Sequence, residues 1–286
     1  MKKLGIVLLS TAILLTGCAA NQKSNTSASS SEAKTSLSAS DQKALDKATA
    51  EYKAFVQKEI DQLLTDTEKF RDTLKEGKLD EAKKMYPLIR MSYERSEPIA
   101  ESFGESDVKI DFRLADYVDE NKTEEGWSGF HRIEKILWES NTTTGTEKYA
   151  DQLVNDIKEL KAKIATVEVA PDIMLTGAVD LLNEVATSKI TGEEEIFSHT
   201  DLYDFRANIE GAEKIFELFK PLIEKKDEKL VKSIETEFKN VNSLLDKHMT
   251  DSKNYKLYTE LSKEDTKEMG EAVTNWASLS RKWVSS

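Results

Sequence analysis

His131 stands three residues before Glu134 in the stretch GWSGFHRIEKILWE, and it is one of only three histidines in 286 residues. On a helix this spacing sends both side chains from one face, with about 5–6 Å between β-carbons. An imidazole and a carboxylate so placed can ligate a metal, work as acid and base, or merely pair on a charged helix surface. Helical bundles that hold iron or manganese commonly use the reverse order, Glu-x-x-His. By spacing alone the surface pair is the commoner case. The neighbours Phe130, Ile133, Ile136, Leu137 and Trp138 count against it, because a carboxylate and an imidazole buried among them need a partner charge or a metal.

Two further acidic groups invite the same question. In RMSYERSEPIAESFGESDVKIDFRLADY, Glu94, Glu97 and Glu101 recur at steps of three and four, followed by Asp107, Asp111 and Asp116. Spacing alone favours a solvated acidic face balanced by Arg90, Arg95 and Arg113. In TGEEEIFSHTDLYDF, Glu193, Glu194 and Glu195 precede His199, Asp201 and Asp204, and acids at a helix start are accounted for by its dipole. Several chemistries leave no trace: there is no HExxH, no CxxC, no phosphate-binding glycine loop and no GxSxG. A carboxylate acid/base pair has no spacing signature and stays open.

The elements that must position these groups are helices. Eleven glycines and four prolines are few for the length, while Ala, Leu, Lys and Glu abound. Leu45, Ala48, Tyr52, Phe55, Ile60, Leu63, Phe70 and Leu74 recur at helical steps until Gly77 supplies a stop. A second helix is expected from Asp80 to about Arg95, with Pro87 kinking it or opening a new turn. The stretch 96–126 is the least regular. Helical patterns resume at 128–139, 147–166, 172–190, 201–224, 227–249 and 262–284, the last opened by a capping-box-like Ser262-Lys-Glu-Asp265. The expected fold is all-α, with about four helices on each side of Pro171, either as two four-helix bundles over 41–170 and 171–286 or as one continuous bundle.

The N-terminal stretch leads to the expectation of an extracytoplasmic, lipid-anchored protein. Residues 1–17, with Lys2 and Lys3 before a short apolar run, read as an export signal, and Leu15-Thr16-Gly17-Cys18 resembles a bacterial lipobox. Cys18 is the only cysteine, so a lipidated N-terminal residue at the cell membrane explains it better than a disulfide. Residues 18–40 are Ser, Ala, Asn and Thr-rich, a tether with a reach of about 25 Å as a coil. The formal net charge of −12 makes nucleic acid a poor partner; such a field attracts cations, and an acidic, lysine-rich helical surface is equally what solubility alone requires. About 245 residues follow the tether, enough for one large or two modest cores.

Taken together and in order, YERSEPIAESFGESDVKIDFRLADY, GWSGFHRIEKILW and KITGEEEIFSHTDLYDFRANIEGAEKIFELFKPL resemble the imelysin-like iron-uptake lipoproteins EfeO and EfeM. That resemblance implies two helical-bundle lobes with a metal site in the cleft between them. It implies iron, Fe2+ or Fe3+, as cargo, with other divalent metals able to substitute, and a membrane iron permease and a haem-type peroxidase as partners. Carried onto this chain, the metal ligands would be His131, Glu134, Glu94, Glu97, Asp111 and one of the Glu193–Glu195 triplet, with Glu194 preferred. Arg113, His199 and Asp201 would support them. The longer EfeO form has an N-terminal cupredoxin domain; here only the tether stands in its place, which matches the short EfeM-like form. The runner-up functions are a metallopeptidase-like or haem-iron-releasing enzyme, and a polysaccharide-binding surface lipoprotein displaying Trp127, Trp138, Trp276 or Trp283.

Overall fold

A computed structural model describes residues 38–284 of the chain. The export signal, Cys18 and the tether up to residue 37 lie outside the described residues. Helix α1 (Ala39–Lys75) is capped by Ser38, whose side chain accepts the Asp41 N–H. Its stripe of Ala48, Tyr52, Val56, Ile60, Leu63, Phe70 and Leu74 is buried, as the periodicity requires. The helix ends in a Schellman motif: Gly77 takes φ +75°, its N–H donates to Leu74 O, and the Lys78 N–H reaches Thr73 O.

Helix α2 (Leu79–Ala100) runs on through both Pro87 and Pro98. The expected end near Arg95 is therefore five residues short, and the irregular stretch after it is more helical than its composition suggests. A single 3-10 turn, Glu101–Phe103, leads into α3 (Gly104–Ile110) and then α4 (Leu114–Asn121). Helix α5 (Phe130–Glu139) carries the His131 motif, and α6 (Glu147–Thr166) packs against α1.

Pro171 opens α7 (Pro171–Thr187) at the first helical position, where its missing N–H costs nothing. A 3-10 turn at Lys189–Thr191 precedes α8 (Asp201–Glu224), α9 (Glu228–Asp246) and α10 (Lys263–Val284). The capping box of α10 is reciprocal: Ser262 Oγ accepts the Asp265 N–H at 3.1 Å, and an Asp265 carboxylate oxygen accepts the Ser262 N–H at 2.9 Å. Among the described residues there is no strand, only an isolated antiparallel bridge between Met249 and Tyr255.

From Ser38 onward the chain forms one compact unit with a continuous apolar core. Helices α2 and α8 lie at its centre, each against the other and against flanking helices. Their close approach depends on a small residue: a β-carbon on Gly211 of α8 would run into the Arg95 carbonyl of α2. Both central helices bury polar residues along with apolar ones, Arg90, Glu94 and Glu97 on α2 and Asp201, Asp204 and Asn208 on α8. Trp127 and Trp276 are buried, as core packing predicts.

Candidate metal centre

The motif around His131 begins as an anchor. Trp127 Nε1 donates to Phe112 O at 2.6 Å, and Ser128 Oγ donates to Lys109 O at 3.2 Å. Gly129, at φ +88°, sits where a β-carbon would collide with the carbonyls of Ile110 and Lys109. Three successive residues thus dock on the end of α3, and that docking sets Asp111 opposite His131. Gly129 then serves as N-cap of α5, whose buried stripe is Phe130, His131, Ile133, Glu134 and Leu137. The polar pair occupies core positions of an amphipathic helix.

Within the pair, His131 Nδ1 lies 3.1 Å from Glu134 Oε2. The other oxygen, Oε1, accepts the backbone N–H groups of Phe197 at 3.0 Å and Ser198 at 2.7 Å. Burial alone would raise the pKa of Glu134, but the hydrogen bond and charge of His131 outweigh it and the Ser198 N–H adds to them, so its pKa lies below the ordinary carboxylate value. An ionised Glu134 can only accept, which puts a proton on Nδ1, so that Nε2 is the ring nitrogen able to give up its proton and offer a lone pair to a metal. Nε2 is buried without a hydrogen-bond partner. It faces an oxygen of Asp111 at 3.6 Å and one of Glu194 at 3.9 Å.

Behind these residues lies a buried charge network. Arg90, fully enclosed, contacts Glu94 at 2.5 Å, Glu195 at 2.5 Å, Asp204 at 3.4 Å and Glu194 at 3.7 Å, and also pairs with Asp111. Its guanidinium stacks 5.6 Å from the Phe130 ring centre. The carboxylates around it titrate very differently. Burial raises Glu94, yet Lys189 and Arg90 overcome it and hold the group at about 2. Burial lifts Asp111 to about 6 against the pull of Arg90. Burial and the neighbouring Glu134 charge push Glu195 well up, and burial does the same to Asp204. Eight carboxylates are buried here, Glu94, Glu97, Asp111, Glu134, Glu194, Glu195, Asp201 and Asp204, against the buried cations Arg90 and Lys189. Such an excess of negative groups is stable only with protons or an added cation.

Lys189 reaches in from the 3-10 turn before α8. Its Nζ lies 2.7 and 2.9 Å from the two Glu97 oxygens and 3.1 Å from Glu94 Oε2. Asn208 Nδ2 donates to Glu97 Oε2 at 2.5 Å and Glu94 Oε2 at 2.9 Å, and it also reaches the Glu94 backbone carbonyl at 3.3 Å. That carbonyl is available because Pro98, four residues on, has no N–H to bond it.

Three groups bring potential ligand atoms within 4.8 Å of one another: Asp111, His131 and Glu194; His131, Glu134 and Glu195; and Glu94, Glu97 and Asp111. His131 and Glu194 of the first group, with Glu134, line a cavity of about 130 Å³ that Arg113, Asp116 and Phe197 also border.

All six residues expected as metal ligands meet here. Glu94 and Glu97 are buried, so the solvated-face reading of that row fails: the row continues the buried stripe of α2 from Tyr86 through Arg90 and Tyr93. Glu193 is exposed, whereas Glu194 and Glu195 both turn inward. Of the expected supporting residues, Arg113 sits at the mouth, 3.6 Å from Glu194 and 2.7 Å from Asp116. Asp201 Oδ1 accepts the Glu195 N–H at 3.1 Å. His199 takes part through its backbone, its N–H donating to Glu195 O at 2.7 Å, with φ at +59°. Sequence reasoning missed Lys189, Asn208, Asp204 and Glu195 as parts of one network and took Arg90 for a surface counter-charge. A tell-tale was present for Arg90, which falls four residues after the buried Tyr86 and four before Glu94.

The imelysin family model matches residues 48–282. An Efem/EfeO family lipoprotein of Staphylococcus haemolyticus (strain JCSC1435) is 50% identical over 276 residues, covering 96% of each chain. The chain belongs to the imelysin family, among its EfeM/EfeO lipoproteins. A Staphylococcus aureus (strain MSSA476) relative of the same description is 52% identical over 230 residues, covering 80% of this chain and 81% of its own. The match to the imelysin model takes in all six carboxylate and imidazole ligand candidates, together with Arg90, Lys189 and Asn208. No described helix of this imelysin family member is long and apolar enough to cross a membrane.

Proposed function

We propose that this protein is the extracytoplasmic, lipid-anchored iron-binding component of an Efe-type uptake system. It captures iron in the cavity beside His131 and passes it to a membrane iron permease, with a haem-type peroxidase as the third member. The observation that carries this reading is the unpartnered Nε2 of His131 facing Asp111 and Glu194. A lone pair and two carboxylates turned on one another repel unless a proton or a metal ion lies between them, and a metal ion takes the place of the proton when it binds.

The donor set is one imidazole with carboxylate oxygens, which suits iron or manganese better than zinc in a thiolate or multi-histidine site. Iron is cargo here, held by His131 Nε2, Asp111 and Glu194. Glu134 orients the ring through Nδ1, as outer carboxylates do for metal-bound histidines. Since Glu134 accepts three hydrogen bonds, it is poorly suited to serve as the base that metal-assisted hydrolysis needs, and binding is favoured over peptidase chemistry. Glu94 and Glu97 complete the carboxylate wall behind Asp111. An opening of the two helical halves about this wall would serve for release.

The test is anaerobic titration of the purified protein with ferrous iron, read by calorimetry, for the parent chain and His131→Ala. One tight site that the substitution abolishes is expected. Equal binding in both would remove His131 from the centre and the proposal with it.

A further inference from the structure

Lys189 has a part beyond neutralising acid. The Asp111, His131 and Glu194 group and the Glu94, Glu97 and Asp111 group share one member, Asp111. Two cations bound at both would lie on either side of a bridging carboxylate, which is the layout of two-metal centres, whose ions sit about 3.5–4 Å apart. In this chain the second position is filled by the protein itself. The buried ammonium of Lys189 stands 2.7, 2.9 and 3.1 Å from three oxygens of Glu97 and Glu94, and 3.8 Å from Glu194 of the first group. Arg90 holds the remaining Glu94 oxygen at 2.5 Å.

We propose that Lys189 is a built-in cation occupying a second metal position, and that it limits the centre to one metal ion. An ammonium and a metal ion cannot both bond the same carboxylate oxygens at these separations, because metal–oxygen bonds of about 2.0–2.2 Å require the site the nitrogen takes up. Being tethered, the ammonium acts at a high and constant effective concentration, so a second metal ion must displace it at any metal concentration and binds there with lowered apparent affinity. Its single charge also leaves the carboxylate wall partly unneutralised, which keeps attraction for the one metal at His131. The selective consequence is a carrier that loads and unloads one ion instead of trapping a bridged pair.

This inference rests on the iron-binding reading, and its test separates the two. Full-length protein in detergent is titrated anaerobically with ferrous iron and, separately, with Mn2+, and bound metal per chain is counted. The parent chain is expected to bind one ion, Lys189→Met two, and Lys189→Met combined with Glu97→Gln one again. No binding by the parent chain would sink the iron-binding reading itself. One ion in the parent and one in folded Lys189→Met would sink only the part given to Lys189. Should the lysine variants not fold, anomalous scattering from metal-loaded crystals of the parent chain decides. Lys189 Nζ still on Glu97 supports the proposal, and a metal bonded to Glu97 overturns it.

Discussion

The carbonyl oxygen of Ile110 occupies the place that a β-carbon on Gly129 would need, so the end of α3 and the start of α5 touch backbone to backbone. The contact lies one residue from Asp111 and two from His131, and it fixes the distance between them. Replacing Gly129 by alanine adds both the collision and the strain of a side chain at φ +88°. Gly129→Ala should lower the melting temperature by several degrees, at about 2–4 °C per kcal/mol for a domain of this size, and weaken metal binding. Gly104→Ala, with nothing within 4 Å of the new carbon and no positive φ, is the control and should do neither.

Glu134→Gln separates fold from function. The glutamine carbonyl can still accept the Phe197 and Ser198 N–H groups, so the melting temperature should change little. Its amide would donate to His131 Nδ1, moving the ring proton to Nε2 and removing the lone pair that faces the cavity. Metal affinity should then fall by about 10–100-fold or more. Glu134→Ala should lose affinity too, and in addition about 1–3 kcal/mol of stability through the orphaned N–H groups. Titration and thermal melts on the same samples check both.

Arg90→Met leaves Glu94, Asp111, Glu195 and Asp204 buried without their shared cation. Removing one partner of a buried charge network costs about 3–5 kcal/mol. Denaturant unfolding at pH 7 should show that loss, and a bound divalent metal should recover part of it. A cost under about 1 kcal/mol would mean that the network is far more hydrated than its burial implies.

The metal-free protein should be most stable in mild acid. Asp111 and Asp201 titrate at about 6 when folded against 3.8 as isolated groups, so the folded chain binds extra protons in between. Their stabilisation is complete below 3.8 and disappears as pH rises through 6. Glu94 works the other way: held at about 2, it stabilises above 4.5 and loses that effect as pH falls. From these groups, metal-free stability should peak near about pH 4, fall between about 4.5 and 6, and level off above about 7. Metal binding should have the opposite slope, strengthening by about tenfold per pH unit for each proton displaced. Melting curves with and without metal across pH 4.5–7.5 would reveal the crossing; parallel curves would argue against it.

How much of this was legible in the chain depended on whether neighbours in sequence are neighbours in space. The helices were, because each writes its own period, and so was the His131–Glu134 face, which is a matter of one turn. Glu94 and Glu97 were ambiguous, since a charged row on a helix looks the same whether water or Arg90 faces it. The link between Lys189 and Glu97 spans 92 residues, and no local pattern announces such a contact. The two prolines of α2 misled in a simpler way: proline in a helix interior signals an end unless packing on every side holds the helix together, as it does here.

That tolerance of Pro98 has a mechanical side. A helix without the break would close its own ladder at the Glu94 carbonyl and present nothing to α8 but side chains. With the break, Asn208 clamps a backbone atom and two carboxylates at once, so the sliding of α2 along α8 is stopped by a missing hydrogen. Restoring that hydrogen, by replacing Pro98 with alanine, would make α2 a better helix and its hold on α8 a looser one.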